Sequence, residues 1–289
     1  MNPRAAGLLR FVLDSTDKGQ VELPTFPIVA TRLVDLLEKP GANLREVEAL
    51  VKQDPAIAAE LLRTANSALY GGGAPVESVG QATLRLGFRE TAQVAMTAAC
   101  RALFDMENRA ESEIFPHVWR ALWHDALVCA YGGRLLAKEL KQGAPERVFL
   151  AALFRNLGAL LVLKAVARGL VRGRLSRPPA EPELAEVLHA LHPRLGATYL
   201  AKSRMPEHVV STAALHHQVG VAFAADTLDL HVVRLADGLC EQIGVSPFAR
   251  GVLGPLAEES AASLGVEAEQ LELFTLQLRE LAEQLQALV

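Results

Sequence analysis

Two polar residues, Arg155 and Asn156, interrupt the most apolar stretch of the chain, which runs from Val148 to Val166. One helix face of this stretch carries residues at the i, i+3, i+4, i+7 spacing, namely Phe149, Ala152, Leu153, Asn156, Leu157 and Leu160. Asn156 is therefore expected to point towards a core or a pocket, with Arg155 beside it. A guanidinium group and a neutral amide are poor metal ligands, whereas a guanidinium group suits phosphate, so this pair favours an anion over a metal.

Histidine and carboxylate side chains elsewhere in the chain could line the same pocket. Both types bind divalent metals, and both also form hydrogen bonds in protein cores. The candidates are His124, Asp125, His192, His216, His217 and Asp237. Three interpretations stay open: core hydrogen bonding, which we favour; a pocket for an anion or nucleotide that includes Arg155; and a weak metal site built from the histidines.

The elements that must position these residues are predicted to be helices. Apolar residues make up 51% of the 289 residues and aromatic residues only 5%, which favours close-packed helices over a β-sandwich. No useful strand-like alternation occurs, so the predicted fold class is all-α. In the second half of the chain, helical patterns cover residues 114–140, 146–168, 184–190, 193–202, 206–218 and 227–243.

Capping signals mark the helices of the first half. Asn43 and Glu46 have the spacing of a capping box, and Asp54 followed by Pro55 is typical of an N-cap with proline at the first helical position. Gly87 is expected to end a short helix. A polar segment at residues 106–113 predicts a boundary between an N-terminal helical half, residues 1–110, and a C-terminal half, residues 111–289.

A set of short motifs resembles the HDOD (HD-related output domain) family over roughly residues 20–220. The motifs are Leu23-Pro24 with Pro27, Gln53-Asp54-Pro55, Ala65-Asn66-Ser67-Ala68 and Leu86-Gly87. The resemblance implies a compact helical domain that acts in bacterial signal transduction without established catalysis. Many such domains are fused to other signalling domains, and we expect this chain to be a stand-alone copy. We expect Asn66 and Ser67 to form a structural hydrogen-bond hub joining the two halves, with direct partner contact as the alternative.

The second half is similar to the related HD phosphohydrolases. His124 aligns with the first metal histidine of that pattern, Asp237 with its final aspartate, and Arg155-Asn156 with its central His-Asp metal pair. The auxiliary histidines of the pattern are matched by His192, His216 and His217. Because the central pair is replaced, the resemblance implies a degenerate site with no metal, no cofactor and no enzymatic activity.

These observations predict a non-catalytic signalling protein that acts by protein–protein interaction, with a small anionic ligand as a further possibility. The alternative is a residual metal-dependent phosphohydrolase that acts on a nucleotide or a cyclic dinucleotide. The net charge of −4 and the lack of a basic recognition helix argue against nucleic acid as a partner.

We also expect a cytoplasmic protein without membrane insertion, because no signal-peptide pattern begins the chain and Arg155 and Asn156 break its most apolar run. The three cysteines, Cys100, Cys129 and Cys240, form no metal-binding motif and fit buried thiols in a reducing compartment.

The last helix carries large apolar residues at alternating spacings of three and four. They are Leu271, Phe274, Leu278, Leu281, Leu285 and Leu288. The seam is shorter than an independent coiled coil requires, so we expect the helix to dock on its own domain. A dimer seam is the alternative, and the chain is accordingly predicted to be a monomer or a homodimer.

Overall fold

The computed structural model describes residues 2–17, 25–67, 70, 73–104, 109–247 and 251–286. These residues form α-helices and no β-strand, which confirms the predicted all-α class. In chain order the helices are α1 (Pro3–Asp17), α2 (Ile28–Glu38), α3 (Leu44–Val51), α4 (Pro55–Ala65), α5 (Val79–Phe104), α6 (Arg109–Ser112), α7 (Pro116–Leu140), α8 (Pro145–Phe154), α9 (Leu157–Val171), α10 (Glu181–Lys202), α11 (Glu207–Leu215), α12 (Leu228–Ile243), α13 (Pro255–Ser263) and α14 (Ala268–Gln286).

The helices divide into two compact units. The N-terminal unit contains α2 to α5, and the C-terminal unit contains α1 together with α6 to α14. The first helix thus belongs with the second half of the chain, unlike in the predicted division at residue 110. The reason is that α1 buries Ala5, Leu8 and Val12 and packs against α9 and α10.

In the N-terminal unit, α5 packs against α2, α3 and α4. The predicted caps are confirmed. At the start of α3, the Asn43 side chain accepts hydrogen bonds from two backbone amides, and Glu46 accepts one from the Asn43 amide. At the start of α4, Asp54 Oδ1 accepts a hydrogen bond from the Ala56 amide at 2.9 Å. Gly87 has a φ of +75° and breaks the helical path of α5, as its sequence position predicts. Of the motif residues, Leu23, Pro24 and Ala68 lie outside the described residues.

Three predicted helices of the C-terminal unit need correction. The pattern at 146–168 is not one helix, because the chain turns at Asn156 (φ −98°, ψ 11°) between α8 and α9. The patterns at 184–190 and 193–202 form a single helix, α10, which contains Pro193. Proline removes one backbone hydrogen bond, but extensive packing of α10 on α9 keeps the helix continuous.

The segment Pro145–Val171, which forms α8 and α9, is apolar and long enough to cross a membrane by composition. In the structure, 94% of its most apolar window is buried inside the protein. Helices α8 and α9 therefore form the core of the C-terminal unit, and they carry Arg155 and Asn156 into that core.

The last helix, α14, docks on α7 and α12 of its own unit. Phe274, Leu278 and Leu285 are buried, and the Leu278 side chain lies against Gly132, where a Cβ atom would come within 3.1 Å of it. The helix docks on its own unit as predicted, through Phe274, Leu278 and Leu285, whereas Leu271 and Leu281 are half-buried and Leu288 lies outside the described residues.

Candidate functional site

Arg155 and Asn156 occupy the turn between α8 and α9 at the centre of the C-terminal unit. Arg155 is completely buried, and Asn156 is 6% exposed. The flanking residues Phe154 and Leu157 are also buried, so the turn has core on all sides. Since the two side chains leave the backbone where the helix is interrupted, both reach polar partners on other helices.

The Arg155 guanidinium group lies between two carboxylates. Its Nε donates to Asp237 Oδ1 on α12 at 2.6 Å, and its Nη2 donates to Asp125 Oδ2 on α7 at 2.6 Å. Its Nη1 donates to the carbonyl oxygen of Ala152 at 3.0 Å. Each of the three guanidinium nitrogens therefore donates to an acceptor, as a buried cation requires.

The charges of this arrangement are set by burial and by pairing. Burial would lower the pKa of Arg155, but Asp125 and Asp237 hold that pKa well above its ordinary value, so the guanidinium stays charged. Burial would also raise the pKa of Asp237, yet Arg155 outweighs this effect and holds the pKa below its usual range. Burial raises the pKa of Asp125, whose Oδ1 is buried without a hydrogen-bond partner among the described residues.

Asn156 connects this ion cluster to the histidines. Its Nδ2 donates to Asp125 Oδ2 at 3.1 Å, which orients the amide and turns Oδ1 towards His216 Nε2 at 3.3 Å. One side chain thus contacts both a carboxylate of the Arg155 cluster and an imidazole, and its orientation is fixed by the carboxylate.

Three of the predicted histidines come together beside Asn156. His192 Nε2 and His216 Nε2 lie 3.1 Å apart, and the His217 ring lies 4.2 Å from that of His216 and 5.0 Å from that of His192, measured between centroids. Burial lowers the pKa of His192 to about 3 and that of His216 well below its ordinary value. Both imidazoles are therefore neutral near neutral pH.

The position of His192 depends on a close approach of α9 and α10. A Cβ atom added at Gly158 would lie 1.9 Å from the His192 carbonyl oxygen, and one added at Gly196 would lie 3.0 Å from the Gly158 amide nitrogen. Glycine at both positions lets the two backbones meet, which brings the His192 side chain next to the Asn156 turn.

A buried arginine that the sequence did not single out holds His216 from the other side. Arg234 on α12 is 3% exposed, and its Nε donates to the His216 carbonyl oxygen at 3.1 Å while its Nη2 donates to that of Leu215 at 2.7 Å. These bonds cap the C-terminal end of α11. Arg234 interrupts the apolar run Val232–Ala236, which is the sequence signal that could have indicated a buried role.

A cavity of about 370 Å³ opens beside the histidines. Its polar lining consists of His189, His192, His217, Glu181 and Glu241, and its apolar lining of Val118, Leu184, Ala185, Leu188 and Pro247. The cavity is large enough for a small ligand. Arg155 does not line it, so this cavity is not the predicted anion pocket that combines Arg155 with the histidines.

The structure does not bring His124 to this cluster. Its Nε2 contacts the carbonyl oxygen of Ala282 on α14 at 3.0 Å, and the side chain lines a different cavity with His117 and Arg120. Asp125, the next residue along α7, contacts Arg155 instead. Neighbouring residues on a helix point about 100° apart, so only one of the two can face the turn.

The motif residues of the N-terminal unit have local roles. Asn66 is the C-cap residue of α4; its Nδ2 donates to the Val76 carbonyl oxygen and its Oδ1 accepts from the Val76 amide, both at 2.9 Å. Ser67 Oγ donates to the carbonyl oxygen of Thr64 at 2.7 Å. These bonds fix the connection from α4 to α5, and all their partners belong to the same unit.

Comparisons with known proteins agree with this architecture. A family profile described as HDOD domain matches residues 23–219. An HDOD domain protein of unknown function from Geobacter sulfurreducens has a TM-score of 0.70 at 20% identity, with 96% of each chain covered. A protein from Marinobacter aquaeolei, provisionally named a signal transduction protein, has a TM-score of 0.71 at 20% identity, with 100% of this chain and 66% of that chain covered.

A curated relative is longer than this chain. It is an uncharacterized protein of Treponema pallidum that is 23% identical over 205 residues. The match spans 68% of this chain but only 38% of the relative. At these identities the two solved structures show a shared fold.

Proposed function

The chain belongs to the HDOD domain family, and from that premise we propose that it is a non-catalytic signal-transduction protein that acts by binding a protein partner. The name of the Marinobacter aquaeolei protein supports the signalling role for a domain of this fold. The arrangement around Arg155 supports the non-catalytic part of the proposal.

The observation that carries the proposal is the guanidinium group held between Asp125 and Asp237. A hydrolytic metal in an HD-type site needs carboxylate ligands, because they bind the cation and partly neutralise its charge. Here both carboxylates are bonded to Arg155, which is itself completely buried. The positive charge of an arginine thus replaces the positive charge of a metal, and a guanidinium group cannot activate water as a nucleophile.

The ion cluster also has a structural consequence that suits a binding protein. Removing either partner from a buried ion pair leaves an uncompensated charge, so the three helices that carry the charges are held in one arrangement. Helices α7, α8 and α12 therefore form a rigid support for the surfaces around them. A rigid surface lowers the entropic cost of binding a partner.

The catalytic half of the question is tested by hydrolysis assays with excess Mn²⁺ on a phosphodiester, a panel of nucleotides and cyclic dinucleotides. We expect all of them to remain intact, as they do without protein. Metal-dependent turnover that is lost in an Asp237→Asn variant of unchanged thermal stability would contradict the proposal. That result would establish the alternative, a residual phosphohydrolase.

The binding half is tested by affinity capture from native cells, followed by reconstitution of the complex from purified components. We expect a protein that co-purifies with the chain and binds it again in isolation with defined stoichiometry. Captured proteins that all fail to bind again in isolation would contradict a protein partner.

A further inference from the structure

The hydrogen bonds around His192 and His216 constrain where their protons lie. His192 Nδ1 lies 2.8 Å from the Leu188 carbonyl oxygen, and His216 Nδ1 lies 3.0 Å from that of Ala213. A carbonyl oxygen only accepts, so each Nδ1 must carry the proton. Each Nε2 atom then presents a lone pair, and the two Nε2 atoms lie 3.1 Å apart.

A cation between the two Nε2 atoms would be coordinated by both rings while each Nδ1 keeps its contact with a carbonyl oxygen. Helix geometry holds the rings in this orientation, because each carbonyl oxygen lies three or four residues before its histidine.

We propose that His192, His216 and His217 bind a divalent transition metal ion, with zinc the best fit, at a site separate from the Arg155 cluster. The ligand atoms of the three histidines lie within 4.8 Å of one another. Imidazole nitrogen suits zinc, and a metal-bound histidine commonly donates its other ring N–H to a backbone carbonyl. His192 and His216 both show that second contact.

The distances fit this ion. Two nitrogens bound to one tetrahedral zinc at about 2.0 Å are separated by roughly 3.3 Å, close to the 3.1 Å between His192 Nε2 and His216 Nε2. His217 is only half-buried, so its side chain can rotate to complete the set. The backbone around His192 and His216 is fixed by the Gly158 contact and by Arg234, respectively, which leaves two of the three ligands preorganised.

The surroundings also suit a cation with an open coordination position. Asp237 is near enough to His192 and His217 to interact with them electrostatically, and its carboxylate would partly neutralise the metal. His192 and His217 line the 370 Å³ cavity, so a fourth position on the metal can face that space. A water molecule or an anionic group of a small ligand would fit there.

This site does not require the Arg155 cluster to bind metal. Asp125 and Asp237 stay paired with Arg155, whereas the proposed ion is coordinated by imidazole nitrogens of the chain alone. Metal binding without turnover leaves both proposals standing, and turnover with metal bound would overturn the non-catalytic proposal but not this one.

The test uses the full chain after removal of any affinity tag and treatment with a chelator. Zn²⁺ binding is measured by equilibrium dialysis with elemental analysis, and Co²⁺ binding by its visible absorption, which reports coordination geometry. We expect one Zn²⁺ per chain and a tetrahedral Co²⁺ spectrum. In a His217→Ala variant, Zn²⁺ affinity should fall by at least about tenfold.

His189→Ala is the matched control, because His189 lines the same cavity but is not among the three proposed ligands. This variant should bind Zn²⁺ as tightly as the wild-type chain. His217 is half-buried, so its variant is expected to fold, and an unchanged melting temperature of the metal-free protein verifies this. A wild-type chain that binds no Zn²⁺, a His217→Ala variant that binds it equally well, or an equal loss in both variants would overturn the proposal.

Discussion

In the N-terminal unit the motif side chains bond to backbone atoms close along the chain, whereas in the C-terminal unit the polar cluster joins side chains that are far apart in sequence. Asp54 and Asn66 reach partners 2 and 10 residues away. Arg155 reaches partners 30 and 82 residues away, and Asn156 reaches His216 across 60 residues. The first unit uses polar groups to end and connect helices, and the second uses them to hold the helices of its core together.

The largest effect is expected from removing the guanidinium group. Arg155→Met leaves two buried carboxylates without their cation, and breaking a buried ion pair in this way costs about 3–5 kcal/mol. Both tryptophans, Trp119 and Trp123, belong to the C-terminal unit, so their fluorescence during denaturant unfolding reports on that unit. Adding Asp125→Asn and Asp237→Asn to the variant should recover part of the loss, since the unpaired charges are removed.

An exposed ion pair provides the contrast within the N-terminal unit. Arg63 pairs with Glu60 at 2.7 Å, and its side chain is 43% exposed. Arg63→Met should therefore change the free energy of unfolding by less than about 1 kcal/mol. Equal losses of unfolding free energy in Arg155→Met and Arg63→Met would contradict the distinction between the two units.

The close contact of α9 and α10 gives the next largest effect. Gly158→Ala places a methyl group where only 1.9 Å is available to the His192 carbonyl oxygen, so the helices must separate. Overpacking of this kind costs about 1–3 kcal/mol. Gly7→Ala on α1 is the control, because nothing lies within 4 Å of its added Cβ, and it should be neutral or slightly stabilising. Thermal unfolding of Gly158→Ala and Gly7→Ala measures this difference in stability.

A smaller effect is expected in the N-terminal unit. Asn66→Ala removes both hydrogen bonds to Val76, but Asn66 is exposed and water can replace the lost partners. We expect a loss of about 1 kcal/mol, measured by far-ultraviolet circular dichroism during urea unfolding. A loss as large as that of Arg155→Met would show that Asn66 has a role beyond its local connection.

A separate effect, of pH rather than of a substitution, is expected in metal-free protein. The folded-state pKa values of His192 and His216 are lowered by burial, so below about pH 6.5 the unfolded chain binds protons that the folded unit does not. The stability of the C-terminal unit should fall as the pH drops from about 6.5 towards 4. No histidine occurs in residues 24–105, so this contribution is missing from the N-terminal unit. Unfolding followed by tryptophan fluorescence at several pH values measures this pH dependence. A free energy of unfolding that stays constant over this pH range would contradict the prediction.

The same contrast explains what the sequence could reveal. The caps at Asn43 and Asp54 and the break at Gly87 depend on residues within one helical turn, so their spacing predicted them. The break at Asn156 was missed because apolar periodicity continues through the turn, and the partners that stabilise it lie on α7, α11 and α12. Both His124 and Asp125 were expected to line the pocket, because an alignment of motifs does not give the rotation of α7 that turns only Asp125 towards Arg155.

The identity of the candidate site residues was otherwise accessible from the sequence. Asp125, Asn156 and Asp237 were expected near Arg155; the structure bonds both aspartates to Arg155 and bonds Asn156 to Asp125. The histidine cluster was foreseen only as one of three alternatives, since residues 192 and 216 meet through the packing of α10 and α11. The hydrogen-bond directions that favour a cation depend on helix geometry that spacing alone does not contain.

The central claim is that the Arg155 guanidinium group occupies the place where a hydrolytic metal would bind. Crystals grown with excess Mn²⁺ and measured at its absorption edge test this directly, because anomalous scattering locates the ion. We predict no manganese bonded to Asp125 or Asp237, and Arg155 within hydrogen-bond distance of both carboxylates. Manganese bound to these two carboxylates, with the Arg155 side chain displaced from them, would contradict the account.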